Sequence, residues 1–259
     1  MRASFERRVG LTALLGVTLV AWVLDSFAAW ARGDRSLTVH VLLVFYALYF
    51  TCIVIHDAVH GVLLPSRWLN DALGFGLSLV IGLPFPLLRH AHLAHHQRPG
   101  AESDPERAVF ATVWWRLPLV LLMVPALYWR SFGRLPVRGR VATCAHGLVV
   151  LGAAAWLGPQ VVGWGVPVLL AIGWFGFTTV YVPHCAHSTW LMKRLQFHSG
   201  WHHDHHRDVR YGWAQYAQLR AFHLRCDGAT DAVTEVLARA VWVRASCLRR
   251  SKRFSAPQN

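Results

Sequence analysis

The sequence predicts an all-α integral membrane protein. Its four transmembrane helices pair into two hairpins, with interfacial or re-entrant helices between them and a histidine-rich cap at one end. Three observations predict this. The 259 residues are 54% hydrophobic and only 15% charged, with a mean hydropathy of +0.33, whereas a soluble domain carries about 25% charged residues. Apolar runs long enough to cross a bilayer recur along the chain. Most of the arginines and histidines stand at the ends of those runs rather than within them.

The first run, 9–31, is long enough at ~1.5 Å per residue to cross a ~30 Å hydrocarbon core. It is too long for the apolar core of a signal peptide, and a second run follows at once, so it reads as a transmembrane helix. Arg32-Gly33-Asp34-Arg35 turns the chain, and 37–55 spans again, ending at His56. The run 72–88 is shorter and carries Gly74, Gly76, Gly82, Pro84 and Pro86. Histidines stand at both its ends and must face one side to share a site. It therefore reads as re-entrant or interfacial, with its non-helical backbone covered by protein. The run 108–129 is interrupted by Arg116, Pro118 and Pro125 and reads as an interfacial helix. The runs 141–157 and 161–182 make the second hairpin across Gly158-Pro159, and 220–259 is a basic tail. No linker or repeat divides the chain, so 1–259 reads as a single membrane-embedded domain.

The formal charge of +13 invites a nucleic-acid reading. The arginines argue against it, because they cluster between apolar runs: at Arg2, Arg7 and Arg8, from Arg130 to Arg140, and from Arg239 to Arg253. That is the positive-inside pattern. It places both termini, the basic loop and the histidine clusters on the cytoplasmic side, against anionic headgroups. Thirteen tryptophans suit a membrane interface. The five cysteines, Cys52, Cys144, Cys185, Cys226 and Cys247, are odd in number and form no C-x-x-C pair, so reduced thiols are expected.

Thirteen of the sixteen histidines lie in four short stretches, each beside an apolar run. His56 and His60 are spaced i, i+4, and share a helix face. His92, His95 and His96 are spaced i, i+3, i+4, and His202, His205 and His206 repeat that pattern. His184 stands at the mouth of the last span. Imidazole is the commonest metal ligand near neutral pH. Nine candidate ligands exceed the four of a tetrahedral zinc site and suit two ions of higher coordination number. Iron, zinc, copper and nickel all accept imidazole. His40 and His146, alone on apolar faces, read as structural. His90, His187, His198 and His203 read either as outer hydrogen-bond partners of the ligands or as polar surface. Asp57 and Asp104 could each hold a ligand's distal N–H, or could be solvated carboxylates. A metal transporter is a rival reading, but it would place its ligands near the bilayer midplane among acidic residues. Here they cap the spans.

These stretches resemble the three histidine boxes of the membrane fatty-acid desaturase superfamily. The boxes are His56-Asp57-Ala58-Val59-His60-Gly61, His92-x-x-His95-His96 and His202-x-x-His205-His206. Within it the pattern is most similar to bacterial beta-carotene ketolases and hydroxylases. The likeness includes Asn70-Asp71 after the first box, Pro99-Gly100-Ala101-Glu102-Ser103-Asp104-Pro105 after the second, Pro183-His184, and His198 four residues ahead of the third. Arg207-Asp208-Val209-Arg210-Tyr211-Gly212-Trp213 stands where many relatives have a Pro-rich turn, and Cys185-Ala186-His187 departs from the usual continuation of Pro-His.

The resemblance implies a non-haem diiron oxidoreductase of the bacterial inner membrane. It implies two irons held by His56, His60, His92, His95, His96, His184, His202, His205 and His206, with Asp57, Asp104 and His198 behind them. It implies O2 as co-substrate and C–H bonds of an apolar lipid as the target, with carotenoid ketolation or hydroxylation ahead of fatty-acyl desaturation. The sequence contains no haem-attachment motif, iron–sulfur cysteine set or GxGxxG fingerprint. Electrons are therefore expected from a separate protein such as a ferredoxin, for which the Arg-rich face offers a docking surface.

Overall fold

A computed structural model describes residues 2–182, 205–206, 209 and 213. All regular structure among them is helical. Helix α1 is Arg2–Ala31, α2 Leu37–Val59, α3 Arg67–Ile81 and α4 Phe85–Gln97. The short helices α5, α6 and α7 are Arg107–Phe110, Leu117–Leu122 and Val124–Trp129. Helix α8 is Val137–Leu157 and α9 is Val161–Phe175, continued by a π-helical turn over Gly176–Tyr181.

α2 is the central helix. From Ala47 to Val59 every residue is buried, as expected of a helix that is apolar all round. Ser36 caps its start by accepting from the Val39 N–H. α1 packs against it antiparallel: Gly16 faces Val54, and Ser26 hydrogen-bonds His40. α9 also packs on α2 and runs parallel to it. His40 Nε2 donates to the Gly163 carbonyl at 2.9 Å near one end, and Tyr49 shares a hydrogen bond with Thr178 at 3.1 Å further along. At Gly163 any Cβ would collide with the Trp30 ring, so glycine lets α9 approach the turn of the α1–α2 hairpin.

α3 returns antiparallel beside α2. Asn70 bonds the Ala58 carbonyl near the start of α3, and Trp164 Nε1 donates to the Val80 carbonyl near its end. Gly82 ends α3 in the left-handed conformation (φ 71°), where glycine carries no Cβ penalty. Pro84 and Pro86 then start α4, which leaves α3 at 102°. The apolar run 72–88 is thus two helices with a sharp turn between them.

The run 108–129 does not form one interfacial helix. It folds as α5, a 3-10 turn at Trp114–Arg116, α6 and α7. Pro118 and Pro125 sit in the first turns of α6 and α7, the position where a missing N–H and a fixed φ start a helix rather than continue one.

Among the described residues, three helical stretches are long and apolar enough to cross a membrane: Thr12–Ala31, Leu37–Val59 and Val137–Tyr181, with a fourth if α3 and α4 count as one broken span. The second continues past the apolar run that ends at residue 55, so His56 lies in its last turn, as the i, i+4 spacing with His60 predicts. The third has 45 residues and is broken at Gly158, whose φ of 55° and ψ of −131° leave the helical region. α8 buries Thr143 and His146 but exposes Leu148, Leu151 and Trp156. An apolar outer face of that extent is the expected surface of an integral membrane protein. The basic tail 220–259 lies outside the described residues.

Candidate metal centre

The end of α2 and the C-terminal half of α4 meet at one end of the bundle. His56 lies in the last turn of α2 and His60 is its C-cap. Asn70, fully buried on α3, fixes this end. Its Nδ2 donates to the Ala58 carbonyl at 2.8 Å, and its Oδ1 accepts from the N–H groups of Leu63 and Leu64. His92, His95 and His96 come from α4, and His205 and His206 complete the group. The ring centroids of His60 lie 5.0, 4.6 and 4.4 Å from those of His92, His96 and His205. His206 stacks on His96 at 4.0 Å.

The ring nitrogens converge. His60 Nε2 lies 3.1 Å from His92 Nε2 and 3.0 Å from His205 Nε2, and His96 Nε2 lies 3.0 Å from His92 Nε2. His95 Nε2 lies 3.3 Å from His206 Nε2. One ligand atom each of His56, His60, His96 and His205 falls within a 4.8 Å span. Ligands about 2.1 Å from one ion stand roughly 3.0 Å apart at 90° and 3.4 Å apart at the tetrahedral angle. The observed separations fit imidazoles gathered round a metal. His184, His187, His198, His202 and His203 lie outside the described residues. His90 is half-buried on α4 and enters none of these contacts. His40 and His146 lie apart from the cluster, the latter buried against Phe75.

Carboxylates hold two of the rings from behind. His95 Nδ1 donates to Asp104 Oδ2 at 2.9 Å, and His92 Nδ1 donates to Glu106 Oε1 at 2.8 Å. An ionised carboxylate only accepts, so both Nδ1 atoms carry protons, and a metal at the cluster would be met by the Nε2 atoms. Burial pushes the Asp104 carboxyl up, but the His95 hydrogen bond, the Gly100 N–H, the charge on His95 and the Glu106 N–H outweigh it and hold it low. Burial raises Glu106 as well. The neighbouring His95 and His92, with the hydrogen bonds from His92 and Tyr128, bring it down to about 2. Burial, followed by the Glu106 charge, drives the Tyr128 hydroxyl well above its ordinary value, so it stays a donor, 3.0 Å from Glu106 Oε1. The Asp57 carboxylate accepts the Trp213 N–H at 2.8 and 3.0 Å and lies 3.6 Å from His56 Nδ1. It ties a residue downstream of the last histidine pair to the end of α2.

Glu106 and Tyr128 escape the sequence reading. The available signal is the pair of acids flanking Pro105, eight to ten residues after the second box. Nothing in that spacing distinguishes a buried Glu106 from a solvated one.

A narrow apolar cavity abuts the cluster. Its walls come from α2 (Cys52, Ile55, Val59), the α3–α4 bend (Ile81, Leu83, Leu88), α7 (Val124, Leu127) and α9 with its π turn (Ile172, Phe175, Gly176, Val180). His56, His92, Glu106 and Tyr128 supply its polar groups. The π turn brings Gly176 against Leu121, where a Cβ would stand 2.9 Å from Leu121 Cδ2.

Residues 36–233 match the family model described as fatty acid desaturase. The chain belongs to the fatty acid desaturase family. It is 31% identical over 235 residues to a beta-carotene ketolase of Paracoccus sp. (strain PC1), a match covering 82% of this chain and 91% of that protein. It is 30% identical over 187 residues to a beta-carotene ketolase of Paracoccus sp. (strain N81106 / MBIC 01143), covering 65% of this chain and 72% of that protein. As a desaturase-family member the chain is an oxygen-dependent oxidoreductase of the membrane. The family generally uses diiron centres, and the inward-facing Nε2 atoms, with Nδ1 protons anchored on carboxylates, are the donor set such a centre requires.

Proposed function

We propose that this desaturase-family enzyme oxidises the end ring of a carotenoid, placing a keto or hydroxy group on it. The observation that carries the reading is the apolar cavity that runs to His56 and His92. The likeness to two beta-carotene ketolases supports it. In this reading two irons are held by His56, His60, His92, His95, His96, His184, His202, His205 and His206. With O2 and electrons from a separate donor such as a ferredoxin, that centre supplies the oxidising power to take hydrogen from a C–H bond. The chain's residues do the rest. The cavity walls hold a hydrocarbon out of water with one end at the histidine edges. Asp104 and Glu106 keep His95 and His92 in the tautomer that ligates. Asp57, and His198 beyond the described residues, complete the support.

The topology in this reading has four crossings, 9–31, 37–55, 141–157 and 161–182, within a single membrane-embedded domain. The break at Gly158 favours two crossings in Val137–Tyr181, since 45 residues of straight helix would extend about 67 Å, twice a bilayer core. The arginine clusters favour a cytoplasmic histidine cap with both termini on that side, in a bacterial inner membrane. Fatty-acyl desaturation shares the same centre and is the outcome to be distinguished. The test is expression in a beta-carotene-producing host with an electron-supplying system, followed by pigment and lipid analysis. New keto or hydroxy carotenoids are expected. Unchanged beta-carotene beside newly unsaturated fatty acids would overturn the carotenoid reading.

A further inference from the structure

The walls of the apolar cavity differ in what backs them. Behind its α2 wall lies α1, and behind the α3–α4 bend lies α8. The α7 and α9 walls are one helix thick. On α7, Val124 lines the cavity while its neighbour Met123 is exposed. On α9, Ile172 and Gly176 line it while Leu169 and Leu170 are exposed. Leu119 and Leu122 on α6 are exposed too, so the outer surface here is apolar, as suits contact with lipid. The joint between these walls is thin. Gly176 lines the cavity with backbone alone. Leu121 Cδ2 and Val124 Cγ2 stand over it, 2.9 and 3.7 Å from where its Cβ would be. The stem of Leu121 crosses Gly173, with Leu121 Cβ 3.9 Å from the place of that glycine's Cβ. Leu121 closes the joint by dispersion contacts, and a change of its rotamer breaks no hydrogen bond. Gly176 also opens the π turn, a departure from the α-helix that is frequent at functional sites.

We propose that the α6–α9 joint at Leu121, Gly173 and Gly176 is the lateral entry through which a lipid substrate passes from the bilayer into the cavity. The proposal rests on the reading that this cavity takes the apolar substrate. His56, His92, Glu106 and Tyr128 stand at the polar end of the cavity. Entry at that end would take a hydrocarbon out of the bilayer and past polar groups. Entry at the joint keeps it in apolar surroundings throughout, so no hydrophobic surface is exposed to water on the way.

Leu121→Cys combined with Gly173→Cys tests the entry. Disulfides form at Cβ separations of about 3.5–4.5 Å, and this pair stands at 3.9 Å. Neither residue lines the cavity. Full-length protein in phosphatidylcholine nanodiscs is mixed with an apolar alkyl diazirine and flash-photolysed at increasing times. Mass spectrometry then reads the label on Ile55 and Val59, buried residues of α2 that line the cavity. Label on the exposed Leu169 and Leu170 measures the supply from the lipid. The reduced double variant is expected to gain label on Ile55 and Val59. The oxidised form is expected to lose that label while Leu169 and Leu170 keep theirs. The control is a second cross-link, Gly16→Cys with Val54→Cys, which ties α1 to α2 at a Cβ separation of 3.6 Å. Its oxidised and reduced forms should label alike.

Equal labelling of Ile55 and Val59 before and after oxidation of the Leu121–Gly173 pair overturns the proposal. If that pair does not fold or does not cross-link, Leu121→Ala decides. It uncovers Gly176 and must label Ile55 and Val59 faster than wild type does, and an unchanged rate refutes the entry. The label does not depend on which lipid is oxidised. A cross-link that blocks it, in a protein that makes no keto or hydroxy carotenoid, upholds the entry and removes only the carotenoid reading. No label on Ile55 and Val59 in either wild type or the reduced variant would mean that the joint stays closed, and the proposal fails.

Discussion

Gly74 on α3 is where the histidine-bearing end of α2 is most tightly packed, and Gly74→Ala measures how much that packing matters. An alanine Cβ there would stand 2.8 Å from the Ala58 Cβ and 2.6 Å from two atoms of the Phe85 ring. Ordinary contact begins at 3.4 Å, so the Ala58 side is short by 0.6 Å. Ala58 has no rotamer to change, and it lies on α2 between His56 and His60. Phe85 is buried at the start of α4, and turning its ring away disturbs the helix that carries His92, His95 and His96. The variant must therefore move α3 outward, and Asn70, one turn earlier, moves with it. Overpacking of this kind costs about 1–3 kcal/mol. At roughly 2–4 °C per kcal/mol for a chain of this size, the melting temperature should fall by about 2 to 12 °C. Metal retention should fall too, because the α2 and α4 ligands lose their common frame. The internal control is Gly76→Ala, two residues on, where a Cβ meets nothing within 4 Å. That change should be neutral or stabilising by up to about 1 kcal/mol through helix propensity. Melting curves and bound iron, measured for both variants in one detergent, check the pair. A Gly74→Ala protein that melts at the wild-type temperature with full iron would refute the argument that α3 leaves no room for a methyl group.

Asn70→Ala removes the acceptor of two backbone N–H groups and the donor to a buried carbonyl. At about 1–3 kcal/mol for each unsatisfied buried group, the loss should exceed 2 kcal/mol in denaturant titration. A change under 0.5 kcal/mol would mean that the end of α2 is fixed by something else. Glu106 gives a pH signature in metal-free protein. Its carboxyl is held at about 2 in the fold against 4.5 when free, so its contribution is full above about pH 4.5 and is lost as pH falls toward 2. Glu106→Gln should lack that component, and melting curves for the two proteins that fall in parallel between pH 5 and pH 3 would contradict it.

What the sequence made legible follows from how local each interaction is. The i, i+4 spacing of His56 and His60, and the i, i+3, i+4 spacing of His92, His95 and His96, are helical facts contained within five residues. They give the clusters without any tertiary knowledge. The turn at Gly158 is likewise local. The breaks in 108–129 were visible as Pro118 and Pro125, but whether each proline kinks one helix or starts a new one depends on which carbonyls the neighbouring helices leave to water. Here each starts a new helix, and α7 lines the cavity through Val124, Leu127 and Tyr128.

The carboxylates behind the histidines are the non-local part. Asp104 reaches His95 across nine residues, while Glu106 reaches His92 across fourteen and Tyr128 across twenty-two. The acids follow the histidines in reverse order, so the loop 98–106 must fold back over α4. The hydrogen bonds to the Asp104 carboxylate from the Gly100 and Glu106 N–H groups brace that fold. Asp104 was foreseeable as a partner because it lies in a motif beside the box. Glu106 was not, because only burial separates a site carboxylate from a surface one, and its burial is imposed by α7, a helix far along the chain.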